Sequence, residues 1–204
     1  MSIVIVDYKM GNPASIKNMI KRIGYESIIT SDKSQITNAK KLILPGVGSF
    51  DAAINNLTQL DLLEVIKIKV LDENTPVLGI CLGMQLMTNK SDEGKQPGLG
   101  FIDAEVKKFV FEDESIKVPH MGWNFTDIKM HSKLFESMPE RSRFYFVHSF
   151  YVKCNLEADI LTTTNYGNTF VSAFEKDNII GVQFHPEKSH KFGMQLLKNF
   201  IEKY

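Results

Sequence analysis

Pro76-Val-Leu-Gly-Ile-Cys-Leu-Gly-Met-Gln85 carries an apolar run directly into a cysteine set between glycines. Residues 76–80 have the length and composition of a fully buried strand, and residues 82–87 open a helix. A strand buried on both faces that feeds a helix is the unit of a parallel sheet covered by helices. At the junction, Gly79-Ile80-Cys81-Leu82-Gly83 has the form G-x-C-x-G, the setting of a nucleophile elbow. Such a turn crowds the backbone, and only residues without a Cβ fit beside the nucleophile. It holds the thiol out at the carboxyl end of the sheet, where open α/β folds bind ligands. It also sets the thiol at a helix N-terminus, whose N–H groups and dipole favour a thiolate. The same string would equally suit a buried thiol near two packing glycines, because most free cysteines behave as small hydrophobes.

The flanking sequence extends the α/β pattern. Residues 2–7, 27–30 and 41–44 read as strands. Residues 14–23 read as a helix stopped by Gly24, and residues 50–72 as mostly helical with a break near Asp61. The second half has shorter runs, richer in aromatic and β-branched residues, at 105–111, 144–147, 160–164, 170–174 and 179–184. Asp177-Asn178 reads as a hairpin turn between the last two. The predicted fold class is therefore α/β: a mostly parallel central sheet with helices on both faces, plus antiparallel strands in the second half. An amphipathic helix near 192–201 ends the chain, and residues 89–100 are the most loop-like. No repeat or boundary divides residues 1–204, which read as one domain.

Composition narrows the function classes. The 204 residues are 43% hydrophobic and 24% charged, as in ordinary globular chains with one sizeable core. Lys+Arg and Asp+Glu both total 24, so the formal net charge is +0 and nothing general attracts nucleic acid or an anionic membrane. No apolar run is as long as a bilayer span. The start, MSIVIVDYKMGN, puts Asp7 right after a short apolar run and lacks the basic start and longer apolar stretch of a signal peptide. Two cysteines, with no CxxC, argue against a disulfide framework or a thiolate zinc site and fit a reducing cytoplasm.

A cysteine nucleophile needs a base, and the base needs an orienting group. Gly181-Val-Gln-Phe-His-Pro-Glu187 supplies both candidates. Read as a strand, its alternation gives His185 and Glu187 the i, i+2 spacing of one face. Pro186 keeps His185 extended. The carboxylate then takes one imidazole nitrogen and leaves the other for the thiol. Among the rivals, His148 ends a strand without an acid beside it, while His120, His131 and His190 lie in polar or loop-like context. His185, Glu187 and His190 lack zinc-type spacing such as HExxH, so no metal is expected. The order Cys, His, Glu also differs from that of α/β-hydrolases. For an oxyanion, the N–H of Leu82 is one natural donor. The second is expected from Pro45-Gly46-Val47-Gly48, which has neither a P-loop lysine nor a GxGxxG.

Taken together, Pro45-Gly46-Val47-Gly48, Gly79-Ile-Cys-Leu-Gly-Met-Gln85 and Gln183-Phe-His-Pro-Glu187 resemble the class I, triad-type glutamine amidotransferases of flavodoxin-like fold. Val6-Asp-Tyr8 with Gly11-Asn12, Pro119-His-Met-Gly-Trp-Asn124, Phe144-Tyr-Phe-Val-His-Ser149 and Pro186-Glu-Lys-Ser189 are similar to blocks in the glutaminase subunits of imidazole glycerol phosphate synthase. The likeness spans essentially the whole chain. It implies that Cys81 attacks the side-chain amide of glutamine, His185 moves the protons and Glu187 orients it. It implies an oxyanion hole at Val47 and Leu82, and glutamine contacts at Gly48, Gln85, Ser149 and Phe150, with Glu93 at the α-amino group. No cofactor is implied. Ammonia would pass to a (β/α)8 synthase subunit in a heterodimer, yielding imidazole glycerol phosphate and an aminoimidazole carboxamide nucleotide. Pro119 to Asn124, with the only tryptophan, serves either core packing or that interface.

The chain departs from the pattern at Lys9 and Pro13, where glycine and leucine are expected. Ser189-His190-Lys191-Phe192-Gly193 resembles paralogues that feed ammonia to a sugar-modifying amidotransferase in bacterial surface-glycan synthesis. A non-catalytic regulatory subunit on the same fold, or a cysteine peptidase of similar elbow geometry, are the readings from other classes.

Overall fold

The computed structural model describes residues 2–204. Its centre is a sheet in which β1 (Ile3–Val6), β2 (Ile28–Thr30), β3 (Lys41–Leu44), β4 (Val77–Ile80) and β12 (Ile179–Val182) run parallel in the order β2-β1-β3-β4-β12. Both faces are covered, as the near-continuous apolar strands require. On β1, Ile3 and Ile5 pack with Ile16 and Ile20 of α1 (Pro13–Arg22) and with Leu197 and Phe200 of α6 (His190–Lys203). Val4 and Val6 pack on the other face with α3 (Phe50–Gln59), α4 (Leu63–Lys67) and α5 (Leu82–Leu86).

β12 is the pivot between the two halves. It lies parallel to β4 and antiparallel to β11 (Asn168–Lys176). From β11 the sheet continues antiparallel through β10 (Ile160–Tyr166), β7 (His120–Ile128) and β8 (Arg141–His148). A side branch joins β9 (Phe150–Cys154) to β11 and to β6 (Ala104–Lys108), and β6 to β5 (Lys90–Ser91). The predicted parallel core with added antiparallel strands is thus present. Lys176 pairs with Ile179, so Asp177-Asn178 is the two-residue turn the sequence predicts.

The structure differs from the sequence reading in four places. The helical segment 50–72 breaks at Asp61 (φ 54°) as expected, but it finishes in a π-helical turn at Ile68–Asp72 that the periodicity does not show. β12 stops at Val182, so His185 and Glu187 do not share a strand face; Pro186–Lys188 form a 3-10 turn instead. β5, inside the segment read as most loop-like, β7 and β9 are strands the sequence did not predict. On β7 the usual pattern is inverted: Met121, Trp123 and Phe125 face outward while His120 and Thr126 are buried. Finally, Asp32 caps a short α2 (Lys33–Thr37) by accepting the Gln35 N–H at 2.9 Å.

Candidate active site

The site grows from the junction of β4 and α5. Cys81 has φ 53° and ψ −108°, a conformation that costs a non-glycine residue about 1–3 kcal/mol. Its N–H is fixed to the Val182 carbonyl at 2.8 Å, which ties the elbow to the end of β12. The flanking glycines are steric necessities. A Cβ on Gly83 would lie 1.8 Å from the Leu44 carbonyl oxygen, and one on Gly79 would lie 2.7 Å from the Gly83 carbonyl. The helix can therefore start this tightly only because both positions lack a side chain.

The strand end that holds Cys81 N–H also delivers His185. The chain leaves β12 and is stitched to β8: the His185 N–H donates to the Tyr145 carbonyl at 2.9 Å, and Ser189 Oγ donates to the His185 carbonyl at 2.6 Å. Pro186 starts the 3-10 turn, which swings Glu187 back under the imidazole. Glu187 Oε1 accepts a hydrogen bond from His185 Nδ1 at 2.7 Å. The predicted partnership stands, but the turn makes it, not strand alternation.

This contact fixes the tautomer, leaving Nε2 buried without a hydrogen-bond partner of its own. Burial is the strongest influence on His185 and opposes its charge. The Cys81 sulfur and the Glu187 carboxylate outweigh it and push the imidazole up to about 10. A buried nitrogen with no resting partner, beside a sulfur, is placed to exchange a proton with it.

Cys81 lies on one wall of a cleft of about 250 Å³, lined also by Val47, Gly48, Leu82, Gln85, Glu93, Ser149 and Phe150. Every residue predicted from sequence to hold substrate or oxyanion is thus gathered around the thiol, with His185 and Glu187 buried behind it. Leu82 is the first residue of α5, where a backbone N–H has no intrahelical partner. Val47 and Gly48 come from the loop after β3. Tyr8, fully buried, donates its hydroxyl to the Pro45 carbonyl and anchors that loop.

Glu93 reaches the cleft by a different route. Its Oε2 accepts the Phe50 N–H at 2.9 Å, and burial raises its pKa. The following residues are latched to the same helix start: Asp51 Oδ1 accepts the Lys95 and Gln96 N–H groups, each at 3.0 Å, and these bonds lower the Asp51 pKa. A carboxylate on the cleft wall suits an ammonium group in the cleft.

Sequence reasoning assigned no role to Gln183, and it set His148 aside as a base without an acid. The structure puts both at the site. Gln183 is fully buried and its Nε2 donates to Cys81 Sγ at 3.6 Å. Gln85 Nε2 donates to Gln183 Oε1 and to the Phe150 carbonyl, both at 3.1 Å. With both amide protons used, Gln85 has only its carbonyl oxygen free to accept from a ligand. His120, expected in a loop-like context, is buried at the start of β7 beside His148. Its place two residues before His185 in the motif was the only sequence signal for Gln183. Among the described residues, no group of three or more His, Cys, Asp or Glu is arranged to hold a metal ion, and no helix is long and apolar enough to cross a membrane.

Comparison with known proteins adds a family. Residues 4–204 match the model of the glutamine amidotransferase class-I family. The chain is 57% identical over 200 residues to imidazole glycerol phosphate synthase subunit HisH 2 of Methanococcus maripaludis, covering 98% of each. It is 48% identical over 200 residues to the subunit HisH 2 of Pseudomonas aeruginosa, again covering 98% of each. A crystal structure of a glutamine amidotransferase shares the fold with a TM-score of 0.76 at 19% identity, over 98% of this chain and 97% of that one.

Proposed function

The chain belongs to the class-I glutamine amidotransferase family, and from that premise we propose that residues 1–204 act as the glutaminase subunit of an imidazole glycerol phosphate synthase. The observation that carries the chemistry is the alignment of an imidazole, charged by its carboxylate and sulfur neighbours, with a thiol on a strained elbow. In this reading the Cys81 thiol proton passes to His185 Nε2, the sulfur adds to the side-chain carbonyl of glutamine, and the tetrahedral oxyanion is met by the N–H groups of Leu82 and Val47. His185 gives its Nε2 proton to the leaving ammonia. It then takes a proton from the water that cleaves the thioester, releasing glutamate and restoring the thiol. Glu187 keeps the imidazole in the Nδ1–H tautomer throughout. Glu93 faces the α-ammonium of glutamine, while Gly48, Gln85, Ser149 and Phe150 hold the rest of the molecule.

The reading includes a cytoplasmic setting and a (β/α)8 synthase partner that receives the ammonia. Met121, Trp123 and Phe125, exposed on β7, suit a docking face next to the cleft. The second reading, a sugar-modifying amidotransferase as partner, is favoured by one observation. His190, within the segment that departs from the family pattern, stacks on Trp123 at 5.4 Å with an interplanar angle of 3°. The departure therefore lies on the face a partner would meet.

Glutamate release, measured with each candidate partner present, tests the reading. Cys81→Ala should abolish turnover and leave the fold intact; normal turnover in that variant would overturn the mechanism. Absence of wild-type turnover with every candidate partner added would favour a non-catalytic subunit, and hydrolysis of peptides instead of glutamine would favour a peptidase.

A further inference from the structure

Behind the cleft lies a buried hydrogen-bonded pair of histidines that the proposed mechanism does not use. His148 ends β8 and its ring lines the cleft; His120 begins β7 opposite it in register. His148 Nδ1 lies 2.7 Å from the Phe150 carbonyl, and its Nε2 lies 3.0 Å from His120 Nδ1. His120 Nε2 in turn lies 3.3 Å from Asn124 Nδ2, which also donates to the Asn165 carbonyl at 2.9 Å. Both rings sit among aromatic side chains, including Phe146 and Phe170.

The protons on this pair can be assigned by elimination. A carbonyl only accepts, so His148 Nδ1 must carry a hydrogen. Burial, the largest influence, drives the His148 pKa down to about 3 against the opposing hydrogen bond to the Phe150 carbonyl, with the neighbouring His120 and His185 acting in the same direction as burial, and burial drives His120 to about 4. A neutral His148 then has only a lone pair on Nε2, so His120 Nδ1 must donate to it. His120 Nε2 is left as the acceptor for Asn124. The Phe150 carbonyl at the end of this relay is the same oxygen that orients Gln85, whose amide continues to Gln183 and on to Cys81 Sγ.

We propose that His148 is a positioning residue of the glutamine pocket, held as its Nδ1–H tautomer by His120, and that it acts by fixing the Phe150 carbonyl from which Gln85 and the Gln183–Cys81 contact are hung. It is neither acid nor base in the reaction. Its one-way string of donors keeps the floor of the cleft in a single arrangement. The proposal deepens the glutaminase reading and rests on it for its kinetic arm.

Two replacements separate positioning from packing. H148F keeps an aromatic ring in an aromatic pocket but has no donor. H148N keeps a donor near the Nδ1 position but gives up the ring. If His148 positions the carbonyl, H148F raises KM for glutamine about tenfold, the worth of one lost hydrogen bond, with a smaller change in kcat. H148N raises it less, although it is the less stable variant on heating. Both are assayed with the synthase partner present. A KM for H148F that matches wild type, or a larger KM defect in H148N than in H148F, overturns the proposal. Should either variant fail to fold, the tautomers decide in the wild-type protein. Long-range ¹H–¹⁵N correlation spectra should show both His120 and His148 as neutral Nδ1–H forms between about pH 5 and 8, well above their depressed pKa values; an Nε2–H form at either ring overturns it. Absence of wild-type glutamine turnover would instead count against the glutaminase reading and leave the tautomer arm standing.

Discussion

At the scale of single residues, His185 shows which interactions win. Burial alone would neutralise a histidine that is 1% exposed. Two partners reverse the outcome and lift its pKa to about 10, so the imidazolium persists far above the pH at which a free histidine loses its proton. Glu187→Gln keeps the size of the side chain and removes its charge. The His185 pKa should then fall, and the alkaline limb of kcat/KM for glutamine should move to lower pH by about one unit. An alkaline limb that stays where it is in this variant would show that Glu187 does not act through the imidazole. Cys81 and the His185–Glu187 pair were legible from sequence because chemistry of this kind leaves a compact string. Gln183 was not assigned, because a glutamine inside a motif gives no sign of where its amide points.

Among the elements, the elbow is where backbone geometry and function meet. α5 can follow β4 so closely only because Gly83 packs directly on the Leu44 carbonyl. Gly83→Ala should cost about 3 kcal/mol or more, since backbone and not a flexible side chain must give way. Gly24→Ala, where a Cβ meets nothing within 4 Å but φ is 92°, should cost only about 1 kcal/mol. Urea denaturation midpoints check the contrast, and equal losses would mean that crowding at the elbow is relieved elsewhere. β7 marks the limit of pattern reading. Its apolar residues point outward and its polar ones inward, so hydrophobic alternation gives the wrong sense. The His185–Glu187 segment is the converse case: proximity was foreseen, but a 3-10 turn produced it.

For the whole molecule, one sheet joins the candidate nucleophile to an exposed aromatic face. Trp123 is 39% exposed, with the Arg143 guanidinium 5.1 Å from its ring centroid and His190 stacked against it. It does not belong to either buried cluster, which answers the packing half of the sequence question about this tryptophan. Trp123→Ala should weaken association with the proposed synthase partner by about 2 kcal/mol, roughly 30-fold in Kd, while the unfolding transition of the free chain barely moves. Titration calorimetry with the partner, set beside thermal unfolding of the chain alone, checks both; unchanged affinity would move the docking face elsewhere.

The sequence by itself determined the parallel core, the elbow and the candidate reacting groups. These depend on local periodicity, on glycines with no room for a Cβ, and on residues adjacent in the chain. Only the tertiary structure decided that Glu93 meets the start of α3, 43 residues away in sequence. It alone buried His120 against His148 and turned Trp123 outward. Those outcomes depend on which strands become neighbours and in what register, and on the desolvation that follows, and no short stretch of residues encodes either.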